Sequence, residues 1–314
     1  MRTAAIDCGT NSIRLLIADI DDDGVLTDVV RLMRVVRLGE GVDATGRLSA
    51  PALERTFAAA EDYARLISEH RAERVRFVAT SATRDAANRA DFVAGIRDRL
   101  HVELEIISGA EEAALSFAGA ASVLAPGPDD VILVVDLGGG STEFVTGNAG
   151  GVIAAHSLDM GCVRFTERFL RSDPPTHTQV AATRREVDAL IAEAARVVPL
   201  ERITALVGVA GSITTITAHA LSLPEYLPER IHGARLAVAD IRSATKDLLR
   251  MSRQERAALP YMHPGRTDVI GAGALIWQSV VEHTERSTAG RVQTATTSEH
   301  DILDGIALST ASGK

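Results

Sequence analysis

The sequence repeats itself once. Asp7-Cys8-Gly9-Thr10-Asn11-Ser12 returns as Asp136-Leu137-Gly138-Gly139-Gly140-Ser141, with Asp, Gly and Ser each displaced by 129 positions. Both copies sit in the same setting. Apolar, strand-sized runs at Thr3–Cys8, Ile13–Ile20 and Val25–Leu38 surround the first turn. Runs at Val131–Asp136, Thr142–Thr146 and Val152–Ser157 surround the second. Short apolar runs bounded by turn residues read as buried strands. A duplication of this kind predicts two similar α/β domains facing each other, with ligands bound in the cleft between them. The 314 residues are about right for two domains of roughly 150 each. Ala125-Pro126-Gly127-Pro128 is the clearest break, giving domains at 1–125 and 126–314. A C-terminal helix over 299–314 is free to pack back on the first domain.

The remaining pattern alternates as an α/β fold requires. Helices are expected at Pro51–His70, up to Leu100, from Gly109 to about Leu124, at Cys162–Leu170, Val180–Val198, from Gly211, at Val238–Arg250, Asp268–His283 and His300–Thr310. Strands are expected at Val75–Thr80, Val102–Ile107, Ile203–Val209 and Val292–Thr296. The net charge of −9 argues against a DNA-binding protein. Two cysteines, Cys8 and Cys162, make no disulfide framework and no CxxC pair. No signal peptide is visible and no apolar run nears the roughly 20 residues of a membrane span. A cytoplasmic protein is expected.

Several motifs carry chemistry. In the first turn Gly9, Thr10, Asn11 and Ser12 offer successive N–H groups for an anion, and Asp7 beside them implies a divalent cation or a held water. A plain hairpin is the alternative. In the second turn, three successive glycines between two strands are hard to justify without close approach of a ligand to the backbone. No GxxxxGK[ST] occurs, and no GxGxxG follows the first strand. Ser108 and Glu111 have capping-box spacing, which assigns Glu111 to structure. Glu112 points about 100° away, along a stripe with the small residues Ser116 and Gly119, and is left for function or is a solvated first-turn glutamate favoured by the helix dipole. Arg84 follows a strand end and is suited to clamp a phosphate, or to pair with Asp85 at the surface. Gly211 and Ser212 open a helix whose N-terminus suits an anion or nucleotide. Ser298-Glu299-His300-Asp301 reads as a helix start. His263 and His300 lack ligand-like partners.

Taken together, Asp7–Arg14, Ala79–Asp85, Ile107–Ala113, Val135–Glu143 and Met160–Glu167 resemble the Ppx/GppA phosphatases of the actin/Hsp70/sugar-kinase superfamily, in their short two-domain form. The resemblance implies two actin-like (ribonuclease H-like) domains with a cleft between them. It implies a Mg²⁺- or Mn²⁺-dependent exopolyphosphatase acting on inorganic polyphosphate, with pppGpp, ppGpp or ATP as further candidate ligands and a homodimer as the expected assembly. Carried over by position, Glu112 is the general base, with Glu143 and Arg84 as catalytic partners. Asp7, Asp136 and Glu143 hold the metal. Gly9, Thr10, Asn11, Ser12, Arg14, Gly138, Gly139, Gly140, Ser141, Gly211 and Ser212 hold phosphates. Rival readings are a pppGpp or nucleoside triphosphate phosphohydrolase, a kinase of the same superfamily, and a sensor that binds polyphosphate or alarmone without turnover.

Overall fold

The computed structural model describes residues 1–124, 127 and 129–311. The Ala125-Pro126-Gly127-Pro128 break, apart from Gly127, and residues 312–314 of the last expected helix lie outside the described residues. The chain forms two compact units: Met1–Gly119 with the segment from Ile302, and Ala120–Asp301.

The first unit begins with β1 (Arg2–Cys8), β2 (Ser12–Ile20) and β3 (Leu26–Val35). It continues through α1 (Val42–Thr45), α2 (Ala50–Glu69), β4 (Arg74–Ala79), α3 (Ser81–Asp85), α4 (Arg89–Leu100), β5 (Leu104–Ile106) and α5 (Gly109–Ala120). Its sheet has the order β3-β2-β1-β4-β5, with an antiparallel meander on one side of β1 and parallel pairing on the other. β1 is apolar along most of its length because both faces are covered. Ile6, Leu15, Ile17 and Phe77 pack with Tyr63 and Phe92, from α2 and α4. Ala5, Leu16 and Val78 face the other way, toward Ile302, Leu303 and Ile306.

The second unit repeats the plan with β6 (Ile132–Leu137), β7 (Thr142–Asn148) and β8 (Gly151–Leu158), followed by α6 (Cys162–Phe169) and α7 (His177–Ala194). Then come β9 (Ala205–Val209), α8 (Gly211–Ala220), α9 (Pro228–Ile231), β10 (Arg235–Ala237), α10 (Val238–Arg250), α11 (Arg253–Ala257), α12 (Ile270–Ser287) and β11 (Thr294–Thr297). The last helix, α13 (Ile302–Ala311), belongs to the first unit. The second sheet runs β8-β7-β6-β9-β11-β10. Without the antiparallel edge strand β10, this is the order of the first sheet. Trp277 of α12 is the largest buried side chain of this unit and packs against the face of the sheet that carries Leu133 and Val135.

In both units the glycine turn of the repeat follows the carboxyl end of the central strand, β1 or β6. Ligand sites of open α/β sheets are built beyond those ends. No helix among the described residues is long and apolar enough to cross a membrane. Both cysteines are buried, and burial pushes both thiols up from their ordinary range.

Three histidines of the second unit give stability a pH dependence. Burial lowers His219, His263 and His283 below the ordinary histidine value. The unfolded chain therefore binds more protons than the folded one as pH falls below about 6.5. Their contribution to stability is present above that value and is lost on acidification. Thermal melts should show a lower midpoint at pH 5.5 than at pH 7.5; an unchanged or higher midpoint would contradict this.

Candidate active site

The two glycine turns close in the same way. Gly9 N–H donates to Ser12 O at 3.0 Å, and Gly138 N–H donates to Ser141 O at 3.0 Å. In the first unit the chain after β3 comes back to cover the turn. Val36 and Arg37 N–H groups donate to Asn11 O at 3.1 and 2.9 Å, and Gly39 N–H donates to Thr10 O at 2.8 Å. Arg37 takes a left-handed φ of 50° to make this return, and a Cβ on Gly39 would lie 2.3 Å from Thr10 Cγ2. This is why β3 stops at Val35 and does not run on to Leu38. Thr10 Oγ1 is 3.0 Å from Ser81 Oγ at the start of α3, which ties the turn to the end of β4.

The residues opposite each aspartate differ between the copies. Asp7 faces Arg14 across β1 and β2, whereas Asp136 faces Glu143 across β6 and β7. Arg14 Nε and Nη2 donate to Asp7 Oδ2 at 2.9 and 2.6 Å, so the carboxylate of the first copy has a guanidinium partner from the same hairpin. In the second copy two carboxylates lie side by side on one face of the sheet, both buried, Asp136 at 7% and Glu143 at 1% exposure. Ser157, opposite Glu143 on β8, donates its hydroxyl to Glu143 Oε1 at 2.8 Å. Directly opposed residues place their Cβ atoms about 5 Å apart. Two carboxyl groups so close and so buried suit a divalent cation. Among the described residues no three or more His, Cys, Asp or Glu side chains gather to hold a metal. A pair of carboxylates completed by water and phosphate oxygens is the usual way Mg²⁺ is held. Of the three residues expected to bind metal, Asp136 and Glu143 stand together, while Asp7 is engaged by Arg14.

Glu112 lies in the first turn of α5. Ser108 begins the helix: its Oγ accepts from Glu111 N–H at 3.2 Å and its carbonyl from Glu112 N–H at 2.9 Å. The expected capping box is only half formed, because the Glu111 carboxylate turns outward to Arg76 Nη2 at 2.7 Å. Glu111 is thus held structurally, by Arg76 and not by the expected cap. Glu112 is buried, at 7% exposure, and its Oε2 accepts from Arg84 Nη1 at 2.7 Å. The same nitrogen donates to Ile107 O at 3.0 Å. Arg84 is on α3, one short turn beyond β4, so the ends of β4 and β5 supply the two halves of the pair. Its alternative as a surface partner of Asp85 gives way to this half-buried pairing with Glu112. The small stripe on α5 admits a close neighbour: a Cβ on Gly305 of α13 would lie 2.0 Å from Leu115 O.

At Gly208–Ser212 the glycines have separate tasks. A Cβ on Gly208 would lie 2.6 Å from the Trp277 ring, so that glycine serves packing. A Cβ on Gly211 would lie 2.1 Å from Arg266 Nη2, and Arg266 Nη1 donates to Thr215 Oγ1 at 3.2 Å. Arg266 thus rests on the N-terminal turn of α8. A guanidinium beside the positive end of a helix is favourable when an anion joins them. No local pattern pointed to Arg266, because it arrives from a turn far along the chain. Ser212 is buried against Gly273 of α12. Ser298 forms a tight turn with His300 before α13, and Glu299 accepts from Tyr226 Oη at 2.7 Å, so this segment is held structurally. His263 Nδ1 accepts from Gly265 N–H, and His300 stacks edge-on against His232.

Two sheets of one order, each with a buried aspartate and a glycine turn at the end of its central strand, define an actin-like phosphate-handling protein. The Ppx/GppA phosphatase family model matches residues 16–310, and the chain belongs to that family. Exopolyphosphatase 2 of Mycobacterium tuberculosis is 52% identical over 99% of this chain and 98% of its own length. Among solved structures, an exopolyphosphatase-like protein matches with a TM-score of 0.93 at 45% identity, covering 98% of this chain and 97% of that one. The Aquifex aeolicus Ppx/GppA family member matches with a TM-score of 0.80 at 30% identity, over 100% and 98%.

Proposed function

We propose that this chain is an exopolyphosphatase, which removes the terminal phosphoryl group of inorganic polyphosphate by in-line attack of water. The observation that carries the reading is the buried Glu112 carboxylate paired with Arg84. It puts a proton acceptor and a phosphate-binding cation within one hydrogen bond of each other. The 52% identity to a protein named exopolyphosphatase supports the choice of substrate.

In this reaction Glu112 accepts a proton from the attacking water as its oxygen bonds to phosphorus. Arg84 neutralises the terminal phosphate, and the N–H groups of the Gly9–Ser12 turn bind its oxygens; in the second unit the Gly138–Ser141 turn offers N–H groups of the same kind to phosphate. The bond from phosphorus to the bridging oxygen breaks, leaving inorganic phosphate and a chain shorter by one unit. Asp136 and Glu143 would hold a divalent cation, Mg²⁺ or Mn²⁺, which would supply charge neutralisation. Asp7, balanced by Arg14, fixes the first turn. A kinase would need an acceptor alcohol or acid; the pairing of Glu112 with Arg84 favours water.

The test is phosphate release from polyphosphates of defined length, pppGpp and ATP, with Mg²⁺ or with excess chelator. Polyphosphate is expected to be hydrolysed fastest, and chelator to abolish release. Faster release from pppGpp would transfer the assignment to that substrate. Binding of polyphosphate without release from any of the three would favour a sensor. Full activity under chelation would remove the cation from the mechanism.

A further inference from the structure

The N–H groups of a glycine turn bind an anion only if something holds its carbonyls on the other side. In the second unit that support is the N-terminus of α6. Cys162 N–H donates to Gly138 O at 3.0 Å, and Val163 and Arg164 N–H groups donate to Gly139 O at 2.9 and 3.1 Å. Arg164 Nε donates to Gly140 O at 2.8 Å. All three glycine carbonyls are therefore drawn toward α6. A trans peptide is planar, with its N–H opposite its C=O, and the cis bond recorded among the described residues is Asp173–Pro174. The N–H groups of Gly139, Gly140 and Ser141 consequently turn to the side away from α6, where successive N–H groups make an anion nest.

A helix N-terminus has N–H groups without partners in the helix itself. Those of α6 are used on the loop, so this end is a brace and not itself a ligand site. Gly161, just before α6, touches the loop directly: a Cβ there would lie 2.3 Å from Gly139 C and O and 2.5 Å from Gly140 N. In the first unit the carbonyls of Thr10 and Asn11, the counterparts of Gly139 and Gly140, accept from the backbone N–H groups of Val36, Arg37 and Gly39. The second unit adds a largely buried guanidinium, whose charge strengthens its bond to the Gly140 carbonyl.

We propose that the α6 N-terminus orients the Gly138–Ser141 nest for phosphate, with Gly161 permitting the contact and Arg164 acting as a positioning residue through the Gly140 carbonyl. This rests on the reading of the turn as phosphate-binding. Arg164→Met, Arg164→Lys and Gly161→Ala are to be compared with wild type by calorimetric titration of tripolyphosphate in Mg²⁺, with melting of the ligand-free proteins alongside. Arg164→Met is expected to weaken binding about tenfold or more, because the Gly140 carbonyl is no longer held, and to lower the ligand-free melting midpoint as well, because that bond is present without ligand. Arg164→Lys is expected to recover part of the affinity, and KM to change more than kcat. Folded Gly161→Ala is expected to bind weakly too. Wild-type affinity in Arg164→Met or in folded Gly161→Ala would overturn the assignment, and so would absence of tripolyphosphate binding by wild type. Wild-type binding without phosphate release would overturn the hydrolase reading alone and leave the role of Arg164 to be decided by the same titrations.

Discussion

Glu112→Gln is expected to lower kcat for phosphate release by about 10²-fold or more, the usual contribution of a positioned general base. Glutamine keeps the size of the side chain and an oxygen that accepts from Arg84 Nη1, so the 2.7 Å contact has a neutral replacement. What is lost is the capacity to take a proton from water. The charge that now balances Arg84 is also lost, which leaves that guanidinium more available to a phosphate. KM is therefore expected to stay level or fall. Steady-state kinetics on polyphosphate separate the two parameters, and turnover close to wild type would remove Glu112 from the mechanism. Glu111→Gln makes the comparison sharp: that carboxylate serves Arg76 at the surface, and its loss should leave kcat nearly unchanged.

Gly305→Val is expected to produce the second large effect, by a route that touches no substrate. α13 approaches α5 backbone to backbone, with the position of a Cβ on Gly305 only 2.0 Å from Leu115 O and 2.7 Å from Leu115 C. No rotamer change relieves a clash with a carbonyl, so the helices must separate. Overpacking of this kind costs about 1–3 kcal/mol. Leu115 is one turn beyond Glu112, and a displaced α5 carries Glu112 away from Arg84. The melting midpoint and kcat should both fall. Gly271→Ala, where the nearest atoms to a new Cβ are 3.5 Å away, should change little. A Gly305→Val protein with wild-type melting and turnover would show that the α5–α13 approach is not needed to place the base.

Much of this organisation is legible in the chain because it is local. Asp7, Gly9 and Ser12 and their second copies mark the ends of the central strands, and each turn closes on its own serine carbonyl. The strand runs either side of them pair in register as hairpins, a short-range event. α10 spans Val238–Arg250, the range expected for it. Features set by distant residues are not legible. β10 is three residues long and exists because β11 lies beside it. Thr176 and Gln179 begin α7 with a reciprocal cap, ahead of the expected start at Val180. The helix from Gly109 gives way after Ala120 to a tighter turn over Ala121–Val123.

The site follows the same division. Glu112 is singled out by its position in the first turn of a helix, but its pairing with Arg84 joins residues 28 apart in the sequence. Arg14 belongs to the first motif, yet only the register of β1 and β2 shows that it faces Asp7. The same register in the second copy puts Glu143 opposite Asp136, so that a carboxyl group stands where the first copy has a guanidinium. This exchange of Arg for Glu between copies distinguishes the two turns, and it is the reason the proposed mechanism puts its cation in the second unit. Arg164 and Arg266 reach glycines by packing, and no spacing rule announces them.

The most direct measurement is phosphate release from polyphosphate in water enriched in ¹⁸O, with Mg²⁺ present and no acceptor added. Water attack at the terminal phosphorus predicts one solvent oxygen in each phosphate released, lost together with turnover in Glu112→Gln. Absence of release would contradict hydrolysis by this chain, and release of phosphate that carries no solvent oxygen would contradict water attack at the terminal phosphorus.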